Sequence, residues 1–127
     1  MTYSIKNMLD VEDSALKYKT DEFMEARFPR EELDAAQTGL AHIRVKPGKR
    51  QPFAHFHDHG EEIYYVLAGA GNIKLDDAIE PIGPRDAIRI SPGTTHQLEA
   101  GPDGLEILAF GPHHAQDGDL IYEGFWD

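Results

Sequence analysis

His55, His57, Glu62 and His96 are four residues of metal-ligand type whose spacing allows them to meet. Successive side chains on a strand point to opposite faces, so His55 and His57 share one face while Phe56 takes the other. Two imidazoles placed in that way can chelate one ion. If a tight turn through Asp58, His59 and Gly60 reverses the chain, Glu62 on the next strand faces the pair. His96 suits a fourth position, because it follows the turn Ser91-Pro92-Gly93-Thr94 and begins a strand carrying Leu98 on the same face. Three imidazoles and one carboxylate suit iron, manganese, nickel, copper, cobalt or zinc; calcium and magnesium prefer all-oxygen shells. Four protein ligands on a six-coordinate ion leave positions open for water or substrate. His59 shares the parity of His55 and His57 but falls in the turn, where a rim or surface residue is expected. Glu61 should point outward, and it substitutes for Glu62 if the turn shifts by one residue. His113 and His114 read as surface residues, with a second metal pair as the alternative.

These side chains can converge only if β-strands carry them. From Gly39 onward the texture is β. Residues 39–46 alternate Ala41, Ile43 and Val45 against Leu40, His42 and Arg44 before Pro47-Gly48 stops them. Residues 61–67 are dense in β-branched and aromatic types and close at Gly69 and Gly71. Residues 72–75 and 78–82 flank Asp76-Asp77 as a hairpin with a two-residue turn. Residues 87–90, 95–99 and 105–110 complete the set, separated by Ser91-Pro92-Gly93 and Gly101-Pro102-Asp103-Gly104. About seven or eight short strands with turns between them indicate an all-β sandwich, jelly roll or barrel. Residues 1–38 form an N-terminal extension of the same domain, with room for a little helix or an edge strand. Residues 39–111 form the barrel. Residues 112–127, with the apolar Leu120-Ile121-Tyr122 and Phe125-Trp126, form an arm packed across the barrel or a partner.

The composition bounds the partners. A chain of 127 residues suits one domain, and a formal net charge of −11 repels phosphate backbones and anionic membrane surfaces. Nucleic acid and membrane are therefore excluded as expected partners, and a small-molecule ligand is retained. Without cysteine there is no disulfide framework, no thiolate site and no cysteine nucleophile, so a metal must sit on nitrogen and oxygen. Residues 1–10 lack the basic and apolar runs of a signal peptide, and no run of eighteen apolar residues occurs. The expectation is a soluble cytoplasmic protein.

Alternation also proposes a lining for the site. If Glu62 faces the lumen, so do Tyr64 and Val66, and Tyr64 could donate a hydrogen bond to substrate. Phe53 shares the face of His55 and would wall the site. His42 and Arg44 either look out to water or look into the barrel and bind an anionic ligand. Gln51 is a further candidate near the mouth.

The segment from Pro47 to Gly69, with Gly48, His55, His57, Glu62 and Gly69, resembles the first signature motif of the cupin superfamily. The segment from Arg85 to His96 resembles the second. The resemblance spans roughly residues 40 to 110. It departs from the pattern in the longer gap between Gly48 and His55, and at Arg85, Ser91 and Ala100; none of these removes a ligand. It implies a double-stranded β-helix, or jelly roll, with His55, His57, Glu62 and His96 in the metal-ligand positions. It also leans toward a homodimer. The expected function is a metal-dependent enzyme acting on a small organic molecule, dioxygenase-like or isomerase-like. The alternative is a non-catalytic cupin that binds a metal or small ligand for sensing or storage. No DNA-binding domain accompanies the barrel in these residues, which speaks against a one-chain transcription regulator.

Overall fold

The computed structural model describes residues 2–127; Met1, the first residue of the expected extension, lies outside them. After a 3-10 turn at Met8–Asp10, a single helical turn α1 spans Ser14–Lys17. Asp13 caps α1 by accepting from the Ala15 N–H, and the same oxygen accepts from the Ala26 N–H, each at 3.0 Å. That shared acceptor ties α1 to the first strand, β1, at Met24–Arg27. The extension thus holds both a helical turn and an edge strand, and its Ala15, Met24 and Ala26 enter the core. Burying a side chain such as Met24 contributes about 2 kcal/mol.

Seven further strands follow: β2 Thr38–Val45, β3 Ala54–Phe56, β4 Glu62–Leu75, β5 Ala78–Ile82, β6 Ala87–Ile90, β7 His96–Pro112 and β8 Asp119–Ile121. All pair antiparallel in one curled sheet, in the order β1-β2-β7-β3-β8, with β4 joining β5, β6 and β7. The architecture is the expected all-β double-stranded β-helix. Alternation builds its core. Ala41, Ile43 and Val45 on β2 face Ala109, Ile107 and Leu105 on β7, and the same β7 residues register with Tyr64 and Val66 on β4. Ile73 and Leu98 close the far end, each fully buried. The two-residue turn at Asp76-Asp77 forms as expected, with Leu75 opposite Ala78 and Asp76 at a φ of 52°.

Two strands run on where the sequence reading stops them. β4 continues through Gly69 and Gly71, and β7 through Gly101 to Gly104, with register shifts between Val66 and Ala68 and between Gly69 and Gly71. The glycines bend paired strands here instead of ending them. The C-terminal arm packs against the barrel. Lys74, 8% exposed, donates to the Phe125 carbonyl at 2.5 Å, and the Arg50 guanidinium stacks 4.4 Å from the Trp126 ring.

On the outer face, Glu106 of β7 accepts from His42 Nε2 at 2.6 Å and from Arg44 Nε at 2.8 Å. Partial burial pushes the Glu106 carboxyl up, but these two partners outweigh it and hold it below its ordinary value. A carboxylate with a lowered folded pKa stabilises the fold above the unfolded value of about 4.3, and that contribution is lost as the pH falls through the folded value. Because Arg44 is well exposed, the loss in Glu106→Gln at pH 7 should be about 0.5–1 kcal/mol. Urea unfolding should show a clearly smaller difference at pH 3. An equal difference at both pH values would mean that packing, not charge, carries the effect.

Candidate metal centre

Register brings the imidazoles together. His55 on β3 pairs directly with His96 at the head of β7, and the two ring centroids are 4.2 Å apart. Glu62 opens β4, and its Oε1 lies 3.0 Å from His96 Nε2 and 3.6 Å from His55 Nε2. The ligand atoms of His55, Glu62 and His96 all lie within 4.8 Å of one another. His57 stands just past the end of β3 and reaches the other carboxylate oxygen, with its Nε2 3.4 Å from Glu62 Oε2.

The hydrogen bonds behind the rings say which nitrogens are free. His96 Nδ1–H donates to the Thr94 carbonyl at 2.9 Å, and His57 Nδ1–H donates to the Asp117 carbonyl at 3.1 Å. A carbonyl can only accept, so in each neutral ring the Nε2 lone pair is left facing the Glu62 carboxylate. Lone pairs facing a carboxylate repel it unless a proton or a metal cation stands between them. Consistent with this, His57 Nε2 and His55 Nδ1 are buried without a hydrogen-bond partner among the described residues. The donor set and the unpartnered His57 Nε2 fit a metal ion.

Electrostatics follow from the same geometry. Burial pushes the Glu62 carboxyl up, but the three histidines outweigh it and hold it well below the usual carboxylate range. Burial, against the opposing pull of the nearby Glu62 carboxylate, lowers the His55 imidazole, which favours the neutral ligand form. His57 is raised, first by the Glu62 carboxylate beside it, with its partial burial opposing. Burial, together with the neighbouring Glu62 charge, pushes the Tyr64 phenol well above its ordinary value, so it stays neutral.

Of the proposed lining residues, two stand at the centre. Phe53 packs edge-on to His55, with centroids 6.4 Å apart. Tyr64 is 1% exposed and forms a floor, its ring 5.6 Å from that of His96. The other three lie elsewhere. His42 and Arg44 sit on the face opposite Ala41, Ile43 and Val45, committed to Glu106, because alternation on β2 turns them away from the core. Gln51 is buried, and its Oε1 accepts from the Leu98 N–H at 2.9 Å, so its amide serves a strand end and not the mouth. His59 is exposed at the rim, its ring 6.1 Å from that of His114, and Glu61 points outward beside Arg89.

A cavity of about 270 Å³ opens against His57 and Glu62. Its walls include Leu40, Ala41 and Phe110, with Phe28 and Arg30 coming from the N-terminal extension and His113, His114 and Asp117 from the C-terminal arm. Sequence reasoning missed Phe28, Arg30 and Asp117. Only the Asp117-Gly118 pair hinted at a special turn, and nothing local ties Arg30 to residues of the barrel.

A double-stranded β-helix with a His/Glu cluster at the mouth of its barrel defines the class. The chain belongs to the cupin family: the family's sequence profile, described as Cupin domain, matches residues 41–110. The uncharacterized protein MJ1618 of Methanocaldococcus jannaschii is 32% identical over 80 residues, which cover 61% of this chain and 64% of that protein. The chain thus spans just under two thirds of the length of this curated relative. A cupin protein of Bacteroides fragilis superposes with a TM-score of 0.72 at 20% identity, covering 91% of this chain and 88% of the other. The polyketide cyclase RemF of Streptomyces resistomycificus does so with a TM-score of 0.73 at 24% identity, covering 95% and 85%. No helix among the described residues is long and apolar enough to cross a membrane.

Proposed function

We propose that His55, His57, Glu62 and His96 hold one divalent transition metal, and that the protein is a metal-dependent enzyme acting on a small organic molecule in the cytoplasm, dioxygenase-like or isomerase-like. The observation that carries this reading is the pair of Nε2 lone pairs, on His57 and His96, turned toward one buried carboxylate. When bound, the metal supplies Lewis acidity and open positions for a substrate oxygen.

The chain's own residues do the rest. The cavity admits a small molecule to the side of the site formed by His57 and Glu62. Leu40, Ala41 and Phe110 shed water from its apolar part. Arg30, held by an NH1 bond of 3.1 Å to the Ala35 carbonyl, has no carboxylate partner among the described residues and would meet an acidic group on the substrate. Tyr64 lies beneath the ligands as a neutral hydroxyl. The fold of RemF, a polyketide cyclase, supports catalysis on this scaffold.

The test is metal analysis by mass spectrometry on protein purified without a histidine tag, repeated with His57→Ala. Near-stoichiometric metal in the wild type and a clear loss in the variant are expected. Equal sub-stoichiometric metal in both preparations sinks the reading. A screen of small carboxylates, phenols and diketones with the metal-loaded protein, monitored by product formation and, with iron(II), by oxygen uptake, then separates enzyme from binder. Ligand binding without turnover would identify the non-catalytic alternative.

A further inference from the structure

The C-terminal arm touches the ligand set at one residue. Asp117 follows His57 by 60 positions, yet its carbonyl accepts the His57 Nδ1–H and its carboxylate accepts the backbone N–H groups of His59 at 2.7 Å and Gly60 at 2.9 Å. The Asp117 side chain is 6% exposed, with Oδ2 also 3.8 Å from His57 Nδ1. The arm approaches this turn as closely as a backbone can. At Gly118, with a φ of 103°, a Cβ would lie 1.7 Å from the Phe56 carbonyl oxygen. Immediately beyond, β8 pairs with β3, Asp119 opposite Phe56 and Ile121 opposite Ala54. One continuous stretch of the arm therefore grips the chain from Ala54 to Gly60.

This matters because the four ligands are not held alike. His96 is fully buried, and its ring rests against His55 and Tyr64. His55 sits within β3, paired on both edges, with His96 on β7 and Leu120 on β8. His57 lies outside the strand and outside the trio of atoms within 4.8 Å, and its side chain is 29% exposed. The only hydrogen bond of its imidazole among the described residues goes to Asp117, while its backbone carbonyl accepts from the Gly93 N–H at 2.6 Å. A histidine on a loop has freedom to swing away, and a partner on Nδ1 removes that freedom while also selecting the tautomer whose Nε2 can ligate.

We infer that Asp117 is a positioning residue of the metal centre: by bracing the turn from Asp58 to Gly60 and holding the His57 ring through Nδ1, the C-terminal arm makes His57 the fourth ligand. The inference rests on the metal reading above. It gives the arm a task beyond covering the barrel. The arm's docking and the coordination number are then linked, since an undocked arm leaves a three-residue site.

The experiment titrates zinc into full-length metal-free protein, by competition with a chromophoric chelator, in four forms: wild type, Asp117→Ala, His57→Ala and the double variant. Asp117→Ala should weaken zinc binding about 10–100-fold in the wild-type background and less than about 2-fold once His57 is gone. The cobalt(II) absorption of Asp117→Ala should match that of His57→Ala. Asp117→Ala and Asp117→Asn both keep the backbone carbonyl that accepts from His57 and differ in the brace on the turn; Asp117→Asn, which keeps one side-chain acceptor for it, should recover most of the affinity, and it serves if the alanine variant folds poorly. Leu120→Ala, which loosens β8 without touching Asp117, should move zinc affinity far less. Equal effects of Asp117→Ala with and without His57, or no effect at all, overturn the inference while leaving the metal reading intact. Wild-type protein that takes up no zinc overturns both.

Discussion

His96→Ala should abolish stoichiometric metal binding and, with it, nearly all of the stability that metal adds. The ring is fully buried, its Nδ1 is anchored on Thr94, and its Nε2 is the imidazole nitrogen nearest to Glu62, at 3.0 Å. A tightly held divalent ion is worth about 10–16 kcal/mol across four ligands, so one ligand accounts for roughly two to three orders of magnitude in affinity. Metal at a thousandfold excess over its dissociation constant stabilises a fold by about 4 kcal/mol. For a domain of this size that corresponds to a rise in melting temperature of about 10–20 °C. Calorimetry of metal-free and metal-loaded protein should show this shift in the wild type and almost none in the variant. An equal shift in both would remove His96 from the site. The sign of the pH dependence also follows. In the metal-free protein the raised pKa of His57 means that its protonated form beside Glu62 stabilises the fold below about pH 6.5, and this is lost as the pH rises through the folded value. The metal competes for the same lone pair, so the extra stability it provides should grow over that interval and fade on acidification.

The second large effect is steric and lies away from the metal. Gly71 sits where β4 crosses β7, and a Cβ there would lie 2.0 Å from the Glu99 carbonyl oxygen and 3.1 Å from Ala100 Cα. Both obstacles are backbone, so no side-chain rotation relieves them. Gly71→Ala must push apart two strands that pair along nearly their whole length. The cost should reach or exceed about 3 kcal/mol, the upper end for overpacking. Gly83 provides the comparison, because a Cβ there meets nothing within 4 Å. Gly83→Ala should be neutral or stabilising by about 0.5 kcal/mol, through the unfolded chain. Urea midpoints for the two variants should therefore move by very different amounts. Similar midpoints would mean that β4 has slack at Gly71.

Local chemistry carried much of this into the sequence. The period of two placed Ala41, Ile43 and Val45 inward, put His55 and His57 on one face, and set Glu62 and Tyr64 together, because side-chain alternation is a property of the strand itself. The same rule left His42 and Arg44 undecided between water and lumen, since alternation separates two faces without naming the one that is covered. Their place outside came from pairing with β7, which set Glu106 beside them. Gln51 shows the same limit. An amide near a strand end looks available until the Leu98 N–H, 47 positions away, claims it. Glycine was ambiguous as well: Gly69 and Gly71 read as a stop, whereas a partner strand on the far side turned them into a bend in β4.

The ligand types, their parity and the order of the two motifs were thus legible in the chain, since each depends on neighbours a few residues apart. How the four ligands are held was not. His55 and His96 meet through strand register, His57 is steered by Asp117 on the C-terminal arm, and Arg30 reaches the cavity from the N-terminal extension. Such contacts join segments far apart in the chain and depend on backbone carbonyls and N–H groups, which every residue carries alike. No residue type announces which carbonyl will accept a given imidazole; only the folded chain chooses it.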